Sequence, residues 1–331
     1  MTRKELYRNF CKLTPQLPIF MQDWWMDAVC AGKSWDVLLC VRTDAGYRLS
    51  EGADKEEDIV AVLPYLFRER MWIRYVLMPQ MTQIGGLWLC EVVRNDTTAA
   101  RQICTLFMET IQTLRLSYYY QHYPLGSVAP QFMQDLGFKI KKRVTYRMED
   151  LADLDNVINR FSKNKKRQLQ KALSLHVDYD LNIEDFYRFH IDCLLQQGKA
   201  ISYSREFLLV LERKTRRLNQ SQVLAIRNAD EQLLAAAFLV WDKHSMYYLI
   251  PCYSPLHKDS GAGALLVLEA IKLARKLGVA FDFEGSMIRG VAQHYKQFGS
   301  TPIIYYSVEK YYHWWFWFAN AYNWFRERKM R

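Results

Sequence analysis

Apolar and polar positions fall into two sets of segments that repeat one another along the chain. Residues 37–42 are an apolar run ended by Thr43, Asp44 and Gly46, and residues 222–227 followed by Asn228, Asp230 and Glu231 repeat that pattern. Each reads as a strand and a turn. A second apolar run answers each of them, over 59–63 in the first half and 234–240 in the second. Helical spacing over 99–116, a strand over 117–121 and a short helical stretch over 131–138 then complete the first set. In the second set, Leu265, Leu266, Leu268, Ile271, Leu273 and Ala274 supply the buried stripe of a helix, and Gly278 stands where a left-handed C-cap belongs. A strand over 279–283 and the segment 294–299 follow it. Two copies of one α/β unit are the economical reading. The acidic stretch between Met148 and Asn156 places the boundary, giving units 1–150 and 151–331, and Asp155 or Asn156 is expected to cap the basic helix that follows.

The copies differ where chemistry is expected. In the second, Lys258, Asp259, Ser260, Gly261, Ala262, Gly263 and Ala264 lead into the long helix, whereas the first has Arg94, Asn95, Asp96, Thr97 and Thr98 with no glycine. Glycines ahead of a helix let backbone N–H groups approach a phosphate, and the positive helix end favours the anion. At the position of Tyr295 the first copy has Met133. The first copy is therefore expected to have kept the scaffold and lost a ligand site, leaving it as one wall of an acceptor cleft.

The loop, helix and strand resemble the coenzyme-binding core of the GNAT N-acyltransferases, whose loop reads Gln/Arg-x-x-Gly-x-Gly/Ala; Lys258 stands at the first position here. Tyr295 and Gly299 have the spacing of that superfamily's tyrosine and following glycine. The chain is also similar to the Fem-type peptidoglycan aminoacyltransferases and their GNAT-fold relatives. Their last domain has an Asp-Phe-x-Gly strand end, here Asp282-Phe283-Glu284-Gly285, and a Phe-Lys-x-x-Phe-Gly helix, here Tyr295-Lys296-Gln297-Phe298-Gly299. Further likenesses are the basic run from Arg160 to Lys171, Pro18-Ile19-Phe20 ahead of Trp24-Trp25, and Pro79 to Gly86. The resemblance implies an α/β (α+β) chain of two tandem GNAT-like domains, each a mixed, centrally split β-sheet flanked by helices. It also implies an enzyme, an acyltransferase, with a degenerate first domain and donor binding in the second.

Acyl transfer to nitrogen needs a neutral amine, donors for the charge that develops on the carbonyl oxygen, and a proton for the leaving group. Glu284 and Asp282 are the candidates to accept the amine proton, with His294 a weaker one, and Tyr295 is the candidate to protonate a departing thiolate. Lys258, Ser260, Gly261, Ala262, Gly263 and Ala264 are the candidate donor-binding residues, and Lys296 and Arg167 the candidate substrate contacts. The plainer alternatives are that Asp282 only caps its turn, Glu284 is solvated and Tyr295 is a packed helix residue.

Charge and composition narrow the partners. The 331 residues carry a formal charge of +10, and 50% are hydrophobic, enough for two real cores. The excess of cations points to an anionic partner: coenzyme A, a tRNA, or a lipid- or nucleotide-linked glycan. The expected donor is an acyl-CoA, acetyl-CoA in the simplest case, and the expected acceptor an amine on a cell-envelope or related small molecule. The alternatives are an aminoacyl-tRNA donor acting on a peptidoglycan precursor, and a non-catalytic protein that binds a glycolipid or a partner. Seven scattered cysteines without a Cys-x-x-Cys pair speak against a disulfide framework and a zinc site, so no metal is expected and the cytoplasm is the expected location. Neither a signal peptide nor a membrane span is apparent. Between Trp314 and Arg331, Trp315, Phe318, Tyr322 and Phe325 form an aromatic stripe ahead of Arg326, Arg328 and Lys329. That stripe either docks on the protein or anchors it peripherally at a membrane surface.

Overall fold

The computed structural model describes residues 1–30, 34–70, 73–285 and 287–313. They divide into two compact units, Met1–Arg143 with the described residues from Ile304 onward, and Val144–Ile303. The aromatic stripe beyond Trp314 lies outside the described residues.

The first unit opens with α1 (Arg3–Leu13), whose Thr2 and Glu5 form a capping box, and α2 (Asp23–Val29). Strands β1 (Trp35–Thr43), β2 (Gly46–Leu49), β3 (Ile59–Arg70), β4 (Ile73–Leu77) and β5 (Trp88–Leu89) follow. Next come α3 (Glu91–Arg94), α4 (Thr97–Thr113), β6 (Tyr118–His122), α5 (Ala129–Asp135) and β7 (Lys139–Met148). β1 pairs antiparallel with β2 and β3, and β3 antiparallel with β4. β4 then pairs parallel with β6 through only two positions, Tyr75↔Tyr118 and Val76↔Tyr119. Asp96 caps α4 by accepting from the Thr98 and Ala99 amides, and Ile103, Phe107 and Ile111 on its inner face fill the core over the sheet.

The second unit begins with the last residues of β7 and continues through α6 (Leu154–Asn159), α7 (Lys163–Lys171), β8 (His176–Asp178), α8 (Ile183–Leu195) and α9 (Arg205–Arg217). It is completed by β9 (Ser221–Arg227), β10 (Leu233–Trp241), β11 (Ser245–Tyr253), α10 (Ala262–Leu277), β12 (Ala280–Gly285), α11 (Arg289–Lys296) and the start of β13 (Thr301–Tyr311). Its strands run in the order β7-β12-β11-β10-β9-β8, antiparallel except for β11 and β12. α10 buries Leu266, Val267, Ala270, Ile271 and Ala274 against Ala235, Ala237 and Leu239 of β10, and Gly278 at φ 69° ends it as an αL cap. α8 and α9 pack on the same strands.

The repeat read from sequence is present as element order, with β1, β3, β4, α4, β6 and α5 answered by β9, β10, β11, α10, β12 and α11. β2, β5 and α3 have no counterpart in the second copy, and the last strands depart in their pairing. β7, which ends the first copy, pairs with β12 through Phe281↔Met148 and Asp282↔Arg147, and β13, which ends the second, pairs with β6 through Ser307↔His122 and Glu309↔Tyr120. The first unit therefore ends at Arg143, ahead of the expected division at 150, and residues from Ile304 belong with the first unit rather than with 151–331. The basic run from Arg160 to Lys171 is not one helix. Asp153 caps α6 and Ser162 caps α7, in place of the expected Asp155 or Asn156, because the chain turns out between them to let the Ser162 N–H donate to the Gln297 carbonyl at 2.8 Å.

Candidate functional site

The second unit's sheet splits at its centre. β11 and β12 pair only through Ser245↔Ala280, Met246↔Phe281 and Tyr247↔Asp282. β11 runs on to Tyr253 held by β10 alone, and the β12 ladder with β7 shifts register between Asp282 and Gly285. The shift puts Glu284 at φ 63°, a strained conformation for a residue with a side chain. Asp282 holds that turn: it is 1% exposed, and its Oδ1 accepts from Thr145 Oγ1 at 2.5 Å and from the Glu284 N–H at 2.7 Å. Arg147 Nε lies 3.9 Å from its Oδ2. The Glu284 Oε1 is buried and has no hydrogen-bond partner among the described residues, and burial, reinforced by Asp282, pushes this carboxyl well above the usual range.

Tyr295 on α11 stands beside this carboxylate pair. Its ring stacks on Phe283 with centroids 4.7 Å apart, and burial, then the charges of Glu284 and Asp282, raise its phenol to about 12. Tyr295 also lines a cleft of about 490 Å³ bounded by His190, Cys193 and Leu194 of α8, Gln197 and Lys199 after it, Pro251 to Tyr253 at the free end of β11, and Gly290, Val291 and His294 of α11. Behind His294 lies Lys165 of α7, only 3% exposed, with Nζ 3.3 Å from His294 Nδ1, 3.1 Å from Gln168 Oε1 and 4.6 Å from the Phe298 ring centre. Burial lowers the Lys165 ammonium to about 8, and burial together with the Lys165 charge lowers His294 to about 4.

The glycine loop begins α10 with Gly261 at φ 85° as its N-cap. Ser260 Oγ accepts from the Ala262 N–H at 3.2 Å and donates to the His257 carbonyl at 2.7 Å, and the Ala264 N–H donates to the Gly261 carbonyl at 3.0 Å. Three of the amides read as a phosphate cradle, those of Ser260, Ala262 and Ala264, are thus bonded within the loop, the Ser260 N–H donating to the His257 carbonyl at 3.1 Å. Gly261 and Ala262 are buried, and Lys258 is exposed. In the first unit the corresponding gap beside β6 is filled by its own chain: the Gly85 N–H donates to the His122 carbonyl at 2.8 Å and the Gly86 N–H to Gln121 Oε1 at 2.8 Å.

The structure therefore brings Asp282, Glu284 and Tyr295 together and sets the Ser260 to Ala264 loop against Tyr253, whose ring would lie 3.2 Å from a Cβ on Gly263. Lys296 is exposed, and Arg167 is exposed with its guanidinium on Asn164 Oδ1 at 3.2 Å, two residues and so half a turn away from the inward Lys165. Lys165 and the α8 lining were not found from sequence. For Lys165 a signal existed, since Leu169 and Ala172 follow it at helical spacing and mark the inner face of α7.

A family model described as an acetyltransferase (GNAT) domain matches residues 139–297. No curated protein matches the sequence. Among solved structures the chain is similar to FemX, with a TM-score of 0.68 at 13% identity over 93% of this chain and 96% of that one. It is also similar to a C-terminal domain assigned to a lysylphosphatidylglycerol synthetase from Agrobacterium fabrum, with a TM-score of 0.55 at 12% identity over 93% and 92%. A tandem GNAT protein of the clavulanic acid biosynthesis pathway gives a TM-score of 0.51 at 9% identity over 93% and 94%. Residues 139–297 thus match a GNAT acetyltransferase domain, and the chain shares its fold with FemX and with the tandem GNAT protein.

Proposed function

We propose that the chain is an N-acyltransferase that takes an acyl group from a coenzyme A thioester held by the second unit and passes it to an amine. The observation that carries this reading is the parting of β11 from β12 beyond Tyr247 and Asp282, beside a cleft lined by Tyr295. Released strand edges present backbone groups that an amide-containing chain can pair with, and the loop from Lys258 through Ser260, Gly261, Ala262, Gly263 and Ala264 would receive the pyrophosphate. Rotation of Ser260 would free the Ala262 amide for that task, whereas the Ala264 amide is held by the Gly261 carbonyl. Glu284, whose buried carboxylate has a high proton affinity, accepts the amine proton, and Asp282 positions it. Tyr295 keeps its proton at neutral pH and delivers it toward the departing sulfur.

Lys296 and Arg167 are the exposed cations assigned to an anionic part of the substrate, and the acceptor class proposed is an amine on a cell-envelope precursor in the cytoplasm. Among the described residues no helix is long and apolar enough to cross a membrane, and no group of His, Cys, Asp and Glu side chains could hold a metal ion.

A second reading, an aminoacyl-tRNA donor, is favoured by those same bonded amides and by the exposed Lys163, Arg167 and Lys171 of α7, since phosphate contacts dominate nucleic-acid affinity. Calorimetric titration decides between them. Micromolar coenzyme A binding that is lost in G263W supports the first, whereas salt-sensitive tRNA binding without coenzyme A binding overturns it in favour of the second.

A further inference from the structure

The acid and base assigned above leave His294, a polar group of the cleft, without a task. His294 lines the cleft, and its Nε2 is buried without a hydrogen-bond partner among the described residues. A buried ring nitrogen in that state is destabilising unless a ligand satisfies it. The ring is held by aromatic neighbours on several sides, with Phe298 at 5.4 Å, Tyr295 at 5.9 Å and Tyr253 at 6.5 Å between centroids.

Which hydrogen the ring carries follows from Lys165. An ammonium has donors and no acceptor. Its surroundings are Gln168 Oε1, the face of Phe298 and His294 Nδ1, and no carboxylate among the described residues pairs with it. The lysine remains charged at neutral pH, because burial lowers it only to about 8. His294 remains neutral, being lowered to about 4. Lys165 therefore donates to the Nδ1 lone pair, and the imidazole proton resides on Nε2. A neutral imidazole with a cation behind it is a poor base and a good donor.

We infer that His294 Nε2–H donates to the carbonyl oxygen of the reacting acyl group, with Lys165 as the positioning residue that sets its tautomer. Negative charge grows on that oxygen as the amine attacks, and a fixed donor backed by a buried cation interacts more strongly with it then than in the ground state. No proton changes hands in this contact. The inference rests on the acyltransferase reading and not on the donor's identity, since a thioester and an aminoacyl ester present the same carbonyl.

The test joins spectroscopy to kinetics on the full chain. Long-range ¹H–¹⁵N spectra at pH 7 are expected to show His294 as the Nε2–H tautomer, and K165M to release that preference; an imidazolium or an Nδ1–H tautomer in the wild type overturns the inference. With acetyl-CoA as the probe, H294A is expected to lower kcat for thioester cleavage about 10²-fold with KM little changed. H294Q, which carries an amide N–H near the Nε2 position, should recover part of that loss. Coenzyme A titration separates the two ideas. Wild-type protein that does not bind it overturns the donor reading, whereas normal binding with unchanged turnover in both H294A and H294Q overturns the role of His294.

Discussion

A Cβ built on Gly261 would lie 2.1 Å from the carbonyl oxygen of Gln168. The glycine is therefore demanded first by α7, whose backbone crosses directly over the start of α10, and by φ 85° at the cap. An L-residue pays roughly 1–2 kcal/mol for that conformation before the clash is counted. G261A is expected to destabilise the second unit by about 3 kcal/mol or more, read by chemical denaturation. G263A meets only the movable Tyr253 ring at 3.2 Å and should cost about 1 kcal/mol. Of the two, a bulky residue at Gly263 is the cleaner probe of donor binding.

Y295F keeps the ring that stacks on Phe283 and removes only the phenol. It is expected to melt within about 1 kcal/mol of the wild type and to lose about 10²–10³ in kcat. Steady-state rates with acetyl-CoA check this, and an unchanged kcat would remove Tyr295 as the acid.

The Glu284 carboxyl is raised well above 4.5, so the folded state holds its proton more tightly than the unfolded state does. Stability from this group is present below about pH 4.5 and is lost as pH rises through the folded value. E284Q should therefore gain stability relative to the wild type as pH increases from 4.5, while losing turnover. Paired denaturation curves across that range measure the effect.

Lys165 has the opposite sign. Its folded value is lowered from 10.5 to about 8, so between those values the unfolded chain binds more protons and wild-type stability rises with pH. The stability difference between wild type and K165M should accordingly shift in favour of the wild type from pH 8 to 10.5. A flat difference would mean that the ammonium is not buried.

D282A removes the acceptor for both Thr145 Oγ1 and the Glu284 N–H and leaves Arg147 facing an empty position. A loss of about 3 kcal/mol is expected, with Glu284 released from its strained turn. Denaturation together with a fall in kcat checks it.

The repeat and the α10 helix with its glycine ends are legible in the one-dimensional pattern, whereas the approach of Tyr295 on α11 to Asp282 and Glu284 on β12 is a tertiary contact. Periodicity of 2 or 3.6 and the φ demands of glycine are local properties, so the chain carries them wherever it folds. The plain alternative for Glu284, a solvated carboxylate, is open at that level; in the fold the residue is half-buried and its Oε1 is buried. Asp282 does cap its turn, and does so from a buried position that also sets the angle of Glu284.

Sequence by itself determined that two α/β units exist and which of them has a glycine-led helix, because those follow from neighbours within a few residues. Only the tertiary structure decided that the last strand of each copy completes the other unit's sheet, and that Lys165 alone of its basic run turns inward to His294, 129 residues away. Those outcomes depend on which segments meet. Pairing energies and the cost of burying a charge are set by groups far apart in the chain, and no local spacing encodes them.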